Sequence, residues 1–316
     1  MSDNPTETRW PAPLIAHRDA VGIAGIVAVF TVIYLGALWF LSPVHETGVG
    51  TGTGSDDPRL GVGYVLVLLI ATVGIIVAFK RGFAWIVRGV MILVAAGISM
   101  LVLAAWIPPG PFVAGAPLVP GLAAAALGLA LAFHPRWYVL DVAGILMGIG
   151  AVAVFGLVLG IRPVLVLLVL LAVYDAIAVY GTKHMVSLAD NALRDRLPVM
   201  LVIPLPGGRP SLELPEEGEE RQAIMIGLGD VVIPGMLVAS AAVHGPGDPV
   251  TVGGIVMTAP AIGAAAGVIA GLLALFTLFE RGRPHPGLPA LNAGAIVGYL
   301  VGAAAVGVPI TGAFGL

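Results

Sequence analysis

Apolar residues run through this chain in nine long blocks, at roughly 20–42, 61–79, 84–106, 112–133, 138–160, 163–182, 222–243, 255–279 and 288–314. Charged, glycine-rich or proline-rich segments separate them. Each block is close to the about 20 residues that a helix rising 1.5 Å per residue needs to cross a hydrocarbon layer. Within the blocks the apolar residues are continuous and lack the period-two alternation of a barrel strand, so a closed β-barrel is excluded. The pattern predicts an all-α, polytopic bundle of nine transmembrane helices. The first block is longer than the about 7–15 residues of a signal-peptide core, and no small-residue cleavage site follows it; it reads as a retained span.

Composition strengthens this reading. Only 10% of the 316 residues are charged and 59% are hydrophobic, before 44 glycines are counted. Soluble domains carry about 25% charged residues. The mean hydropathy is +1.04. The absence of cysteine excludes disulfides, thiol nucleophiles and thiolate metal sites. A net charge of −3 with no basic block argues against a nucleic-acid partner.

The cations set an orientation. With the N-terminus inside, 13 of the 15 Lys and Arg fall on the inner side: Arg9 and Arg18, Lys80, Arg81 and Arg88, Arg136, five between Lys183 and Arg221, and Arg281 and Arg283. Only Arg59 and Arg162 fall outside. This positive-inside bias requires an odd number of spans, with the N-terminus cytoplasmic and the C-terminus extracytoplasmic. Residues 47–55 form a Gly/Thr/Ser linker outside. Residues 183–221 are the one long inner connection, with five prolines and an acidic cluster from Glu213 to Glu220.

Three acids fall inside the blocks. An intramembrane carboxylate costs about 2.5–3.5 kcal/mol on insertion scales and is a candidate for function by default. Asp141 follows the interfacial anchor Arg136-Trp137-Tyr138, so a first-turn acid reaching water accounts for it. Asp175 and Asp230 have no such account. Asp175 lies eight positions before Lys183, and Asp230 nine after Arg221. Both should then sit roughly 12–13 Å below the inner surface. Their helices are consecutive and antiparallel, and so can face each other. Around Asp230 the sequence reads Gly227-Leu228-Gly229-Asp230-Val231-Val232-Ile233-Pro234-Gly235. Pro234 has no N–H, so the Asp230 carbonyl loses its helical partner, and the glycines should weaken the helix. Loosened backbone at membrane depth needs protein or water to satisfy it.

Two facing carboxylates, one protonated and one ionised, suit aspartic proteolysis: one takes a proton from water and the other polarises the scissile carbonyl. That chemistry needs no metal and no cofactor. There is no His-Glu-x-x-His pattern, and all six histidines fall at helix ends or in loops. Ser99, in Gly97-Ile98-Ser99-Met100, lacks the surroundings of a serine nucleophile. The alternative reading is a proton-coupled transporter or channel using both acids as a relay. Such transporters often repeat a broken helix in each half, and Pro234 has no clear counterpart in the first five blocks.

Three motifs carry a resemblance. Tyr174-Asp175 in block six, Gly227-Leu228-Gly229-Asp230 in block seven and Pro289-Ala290-Leu291 opening block nine resemble the signatures of the presenilin/signal peptide peptidase family. The resemblance covers roughly 165–300; the first five blocks match in number. It implies an intramembrane aspartic endopeptidase with Asp175 and Asp230 catalytic. Tyr174, Gly227, Leu228, Gly229, Pro289, Ala290 and Leu291 would support the site or contact substrate. The GLGDVVIPG run looks like the signal peptide peptidase branch, and Met225 stands where presenilins carry lysine. The inferred orientation is instead that of presenilins. The implied partners are single-span or signal-peptide-like substrate helices and membrane lipid, in the cell membrane if the source is prokaryotic; oligomeric state is left open. Residues 1–160 would form a five-helix scaffold and 161–316 a four-helix catalytic portion. Leu201-Val202-Ile203-Pro204 and Leu212-Glu213-Leu214 are candidate strands for pairing with an unwound substrate, or else loop resting at the interface.

Overall fold

The computed structural model describes residues 12–47, 55–107, 111–113, 116–178, 199–207, 222–278, 287–309 and 312. Among them are nine helices: α1 (Ala12–Thr47), α2 (Pro58–Lys80), α3 (Ala84–Trp106), α4 (Leu118–Phe133), α5 (Trp137–Val158), α6 (Ile161–Ile177), α7 (Leu228–His244), α8 (Ala259–Leu278) and α9 (Leu288–Ala305). Six contain stretches long and apolar enough to cross a membrane: Ala20–Ser42 of α1, and α2, α3, α5, α8 and α9. The apolar α4 and α7 are shorter. The described part of block six stops at Ala178, α9 ends earlier than its block, and Leu212-Glu213-Leu214 lies outside the described residues.

Three short antiparallel hairpins depart from the all-helical expectation. They are β1 (Phe112–Val113) with β2 (Ala116–Pro117), β3 (Met200–Pro204) with β4 (Ala223–Gly227), and β5 (Val250–Val252) with β6 (Ile255–Met257). The starts of blocks four, seven and eight are therefore strands. Each start is apolar enough to extend its block, yet its backbone groups are met by a neighbouring strand. Thr258 marks the switch from β6 to α8. Its hydroxyl donates to the Ala241 carbonyl at 2.8 Å and accepts from the Ala261 amide at 3.3 Å, the side-chain cap a helix start needs.

The helices sort into a core and a rim. Half of the residues of α5 and most of those of α7 are buried, and α7 packs against α1, α5, α6, α8 and α9. By contrast α2 and α3 turn apolar residues such as Ile70 and Leu93 outward, each 72% exposed. In a bilayer that surface meets lipid tails at no hydrophobic cost. Elsewhere helix ends are tied by polar side chains. Asp57 caps α2 through the Arg59 amide at 2.9 Å. Arg88 of α3 donates to the last carbonyls of α4, Leu131 and Ala132.

Glycines set the closest approaches. On α8, Gly263, Gly267 and Gly271 face Gly298, Gly294 and Ala290 of α9, with backbone against backbone. This is the small-residue packing that brings membrane helices together in the absence of a hydrophobic driving force. The β3–β4 hairpin is likewise seated in glycine notches. Leu201 fits over Gly144 of α5, Ile203 over Gly25 of α1, and Leu205 and Ile224 over Gly22 of α1.

A methyl added at Gly267 would overlap the Gly294 carbonyl, so Gly267→Ala should push α8 and α9 apart and destabilise the protein by about 1–3 kcal/mol. Gly97 has open space around it, so Gly97→Ala should be neutral or slightly stabilising. Thermal unfolding of the two variants in detergent checks the contrast; equal midpoints would contradict it.

Candidate active site

Two acids from different helices meet at the start of α9. Asp175, in the last turn of α6, is 4% exposed, and its Oδ2 accepts a hydrogen bond from the Leu288 amide at 3.1 Å. Leu288 is the first residue of α9. Its N–H is one of the helix-start donors that no turn of the helix can satisfy, and the macrodipole there favours an anion. The α6 acid thus caps α9 from outside.

Asp230 lies in the first turn of α7, three residues after the capping position Gly227. Its carboxylate turns back and hydrogen-bonds the Gly227 backbone, half of the reciprocal arrangement common at helix starts. A Cβ on Gly227 would stand 3.2 Å from Asp230 Oδ2, so a side chain there would crowd the carboxylate. A Cβ on Gly287 would stand 3.9 Å from Asp230 Oδ1. Adjacent residues at the start of α9 therefore touch both acids: the Leu288 amide holds Asp175, and Gly287 lies beside Asp230. The two carboxylates are near enough to interact electrostatically.

This placement corrects the expected helix context. Gly227 and Gly229 are not interior glycines weakening a span; they sit at the start of α7, directly after β4. Depth counted at a helical rise from Arg221 therefore does not apply, because a strand advances about 3.3 Å per residue. Pro234 is inside α7, as expected. Val231, one residue past Asp230, has its carbonyl bonded at 3.0 Å by the hydroxyl of Tyr34 from α1. The ring of Tyr34 fits into the notch left by Gly235.

The remaining expected residues divide in two. Leu228 is buried, and its amide closes the hairpin onto the Val199 carbonyl at 2.8 Å. Gly229 is exposed beside Asp230, and a Cβ there would stand 3.8 Å from the Ile233 side chain. Pro289 is the second residue of α9, where its missing N–H costs nothing. The Ala290 carbonyl lies against Gly271 of α8, and Leu291 is buried in the core. Tyr174 is half-buried, and among the described residues its hydroxyl makes no hydrogen bond. It shares the turn of Asp175 without joining the cluster.

Tyr34, Gly287 and Asn292 were not expected. Asn292, one turn into α9, donates to the Leu168 carbonyl of α6 at 2.8 Å and is 1% exposed. A buried amide in an otherwise apolar block is a readable signal. Asp141 also departs from expectation: it does not simply reach water from a first turn, because its Oδ1 accepts from the Val202 amide of β3 at 2.7 Å. Among the described residues, no group of three or more His, Cys, Asp or Glu side chains could hold a metal ion.

The sequence pattern of a family described as signal-peptide peptidase, presenilin aspartyl protease matches residues 27–308. The chain belongs to that family. Two solved structures of a presenilin family intramembrane aspartate protease, in different crystal forms, have the same fold. One is 28% identical, covering 90% of this chain and 99% of that one with a TM-score of 0.63. The other is 29% identical, covering 89% and 97% with a TM-score of 0.61. No curated protein matches the chain. Membership in this signal-peptide peptidase and presenilin family, together with the apolar helices, makes the chain a multi-pass integral membrane protein.

Proposed function

We propose that Asp175 and Asp230 are the catalytic pair of this family member. The protein is an intramembrane aspartic endopeptidase acting on transmembrane segments. The observation that carries the assignment of residues is the convergence of both acids on Gly287–Leu288. One carboxylate, ionised, takes a proton from a water held between the pair. The other, protonated, donates to the scissile carbonyl. A gem-diol forms, and proton return to the nitrogen expels the amine. Two helix starts favour negative charge at the pair: that of α7 at Asp230 and that of α9 at Asp175.

A relay for proton-coupled transport is not favoured, because the family and the solved structures of the same fold are both aspartyl proteases. Residues 161–316 supply the chemistry, with Pro289, Ala290 and Leu291 fixing the start of α9. Residues 1–160 serve as the scaffold, although Tyr34, Gly22, Gly25 and Gly144 reach into the site's support. Substrates are single-span or signal-peptide-like helices delivered from lipid.

Such a helix must unwind before its peptide bonds are reachable, and its freed backbone groups need partners. The β3–β4 register supports one location for them. The Leu205 amide bonds the Gln222 carbonyl and the Leu228 amide bonds the Val199 carbonyl. With the pairing Val202↔Met225, the groups of Ala223 and Met225 point away from β3. That free edge of β4 leads straight into Asp230, and it replaces Leu201–Pro204 as the pairing edge.

The cation distribution supports a cytoplasmic N-terminus, an extracytoplasmic C-terminus and, in a prokaryote, the cell membrane. Cysteine labelling should find position 194 accessible from the cytoplasm and position 316 from outside; the reverse pattern would invert the assignment.

Asp175→Asn and Asp230→Asn should each reduce cleavage of a single-span substrate below about a thousandth of wild type. Both variants should keep near-normal unfolding, since neutralising a buried carboxylate seldom costs stability. Mass spectrometry of the products with purified protein in liposomes is the test. Substantial turnover by either folded variant would reject the pair.

A further inference from the structure

Asp141 lies far from Asp175 and Asp230 in sequence and belongs to none of the three motifs, yet it binds the strand that organises the hairpin. In an antiparallel pair, alternate residues bond their partner strand while the others point outward. The bonds at Leu205–Gln222 and Leu228–Val199 set that alternation. Leu201 and Ile203 therefore bond toward β4, and Met200, Val202 and Pro204 face away from it.

At positions 202 and 204 this outer edge of β3 offers no free amide. Pro204 has no N–H to offer. The Val202 amide is taken by Asp141 Oδ1 at 2.7 Å. The residue is 1% exposed, so its amide has no other ready partner. One turn along α5, Gly144 receives the Leu201 side chain, with a Leu201 methyl 2.8 Å from where a Cβ would stand. The same face of α5 thus holds β3 by one charge-assisted hydrogen bond and one notch. On the other edge of the hairpin, the outward groups of Ala223 and Met225 carry no such clamp among the described residues, and only Gly227, at the end of β4, is bonded there, by Asp230 itself.

We infer that Asp141 is a positioning residue: it clamps β3 and takes the Val202 amide on its outer edge, so that an unwound substrate pairs with β4 in one register relative to Asp230. A strand that slips by one residue turns every side chain to the opposite face. Loss of the clamp should therefore change which peptide bond is cut as well as how fast. The kinetic part rests on the Asp175–Asp230 reading; the clamp itself does not.

The test uses full-length protein in detergent with three substitutions. Asp141→Leu removes the acceptor, and Asp141→Asn keeps an oxygen that can accept the same bond. Val202→Pro removes the donor at a position that does not bond β4, where proline is tolerated. Amide exchange over 199–207, measured in an Asp230→Asn background, should rise about tenfold or more with Asp141→Leu and stay within about threefold of the parent with Asp141→Asn. Exchange in α7 should stay unchanged. In otherwise wild-type protein, Asp141→Leu should lower kcat/KM about tenfold and add products cut at neighbouring bonds. Asp141→Asn should restore the single pattern. Val202→Pro should act like Asp141→Leu, and the double variant should be no worse than either alone.

Unchanged exchange in 199–207 would overturn the clamp, whatever the catalytic residues prove to be. Raised exchange with unaltered cut sites would overturn the register role. If Asp141→Leu does not fold, Val202→Pro against Asp141→Asn gives the same decision. An active Asp230→Asn enzyme would refute the catalytic reading and leave the exchange result standing.

Discussion

The candidate site depends on where the N-terminus of α9 is inserted. Two carboxylates drawn together inside a helical bundle repel each other and have left water behind, so donors must be aimed at them. The Leu288 amide meets Asp175, and the start of α7 meets Asp230. A helix start carries unsatisfied N–H groups and a partial positive charge in one place. It supplies compensation that a lysine or arginine would bring only with a full charge of its own. The rest of the bundle can be read as a device for delivering that helix start to the right spot.

Each support has a physical reason. The α8–α9 pair touches backbone to backbone through Gly263, Gly267, Gly294 and Gly298, which fixes α9 along its axis. Asn292 then ties its first turns sideways to α6 through the Leu168 carbonyl. On the other acid's side, Tyr34 bonds the carbonyl of Val231, in the stretch that Pro234 loosens. Further along α7, Ser240 donates to the Leu159 carbonyl at 2.9 Å and His244 contacts the Leu157 carbonyl at 3.0 Å, stitching α7 to the end of α5. The helix carrying Asp230 is thus held along its length and left open at its start, where Gly229 is exposed.

Much of this was legible in the sequence. A charge in an apolar block is costly enough to stand out, and Asp175 and Asp230 stood out for that reason. Nine blocks of spanning length correspond to nine helices among the described residues. The hairpins were not legible. Ala223–Gly227 and Ile255–Met257 are apolar runs continuous with the helices they precede, and a short apolar run does not declare its period. Their strand character comes from partners, and for β4 the partner lies in a segment that reads as loop. Asp141 was not legible either, because Trp137 and Tyr138 supply a sufficient local explanation while its partner, Val202, is 61 positions away. Tyr34 carries no local signal, because its bond to Val231 spans 197 positions.

In the proposed mechanism, two carboxylates at the start of α9 share one proton and activate one water. The pH dependence of kcat/KM measures this most directly, using purified protein, one transmembrane substrate and constant ionic strength. A pair that needs one acid ionised and one protonated gives a bell, with two limbs belonging to the pair jointly. A rate that rises to a plateau through a single limb, with no fall on the other side, would contradict the shared-proton account.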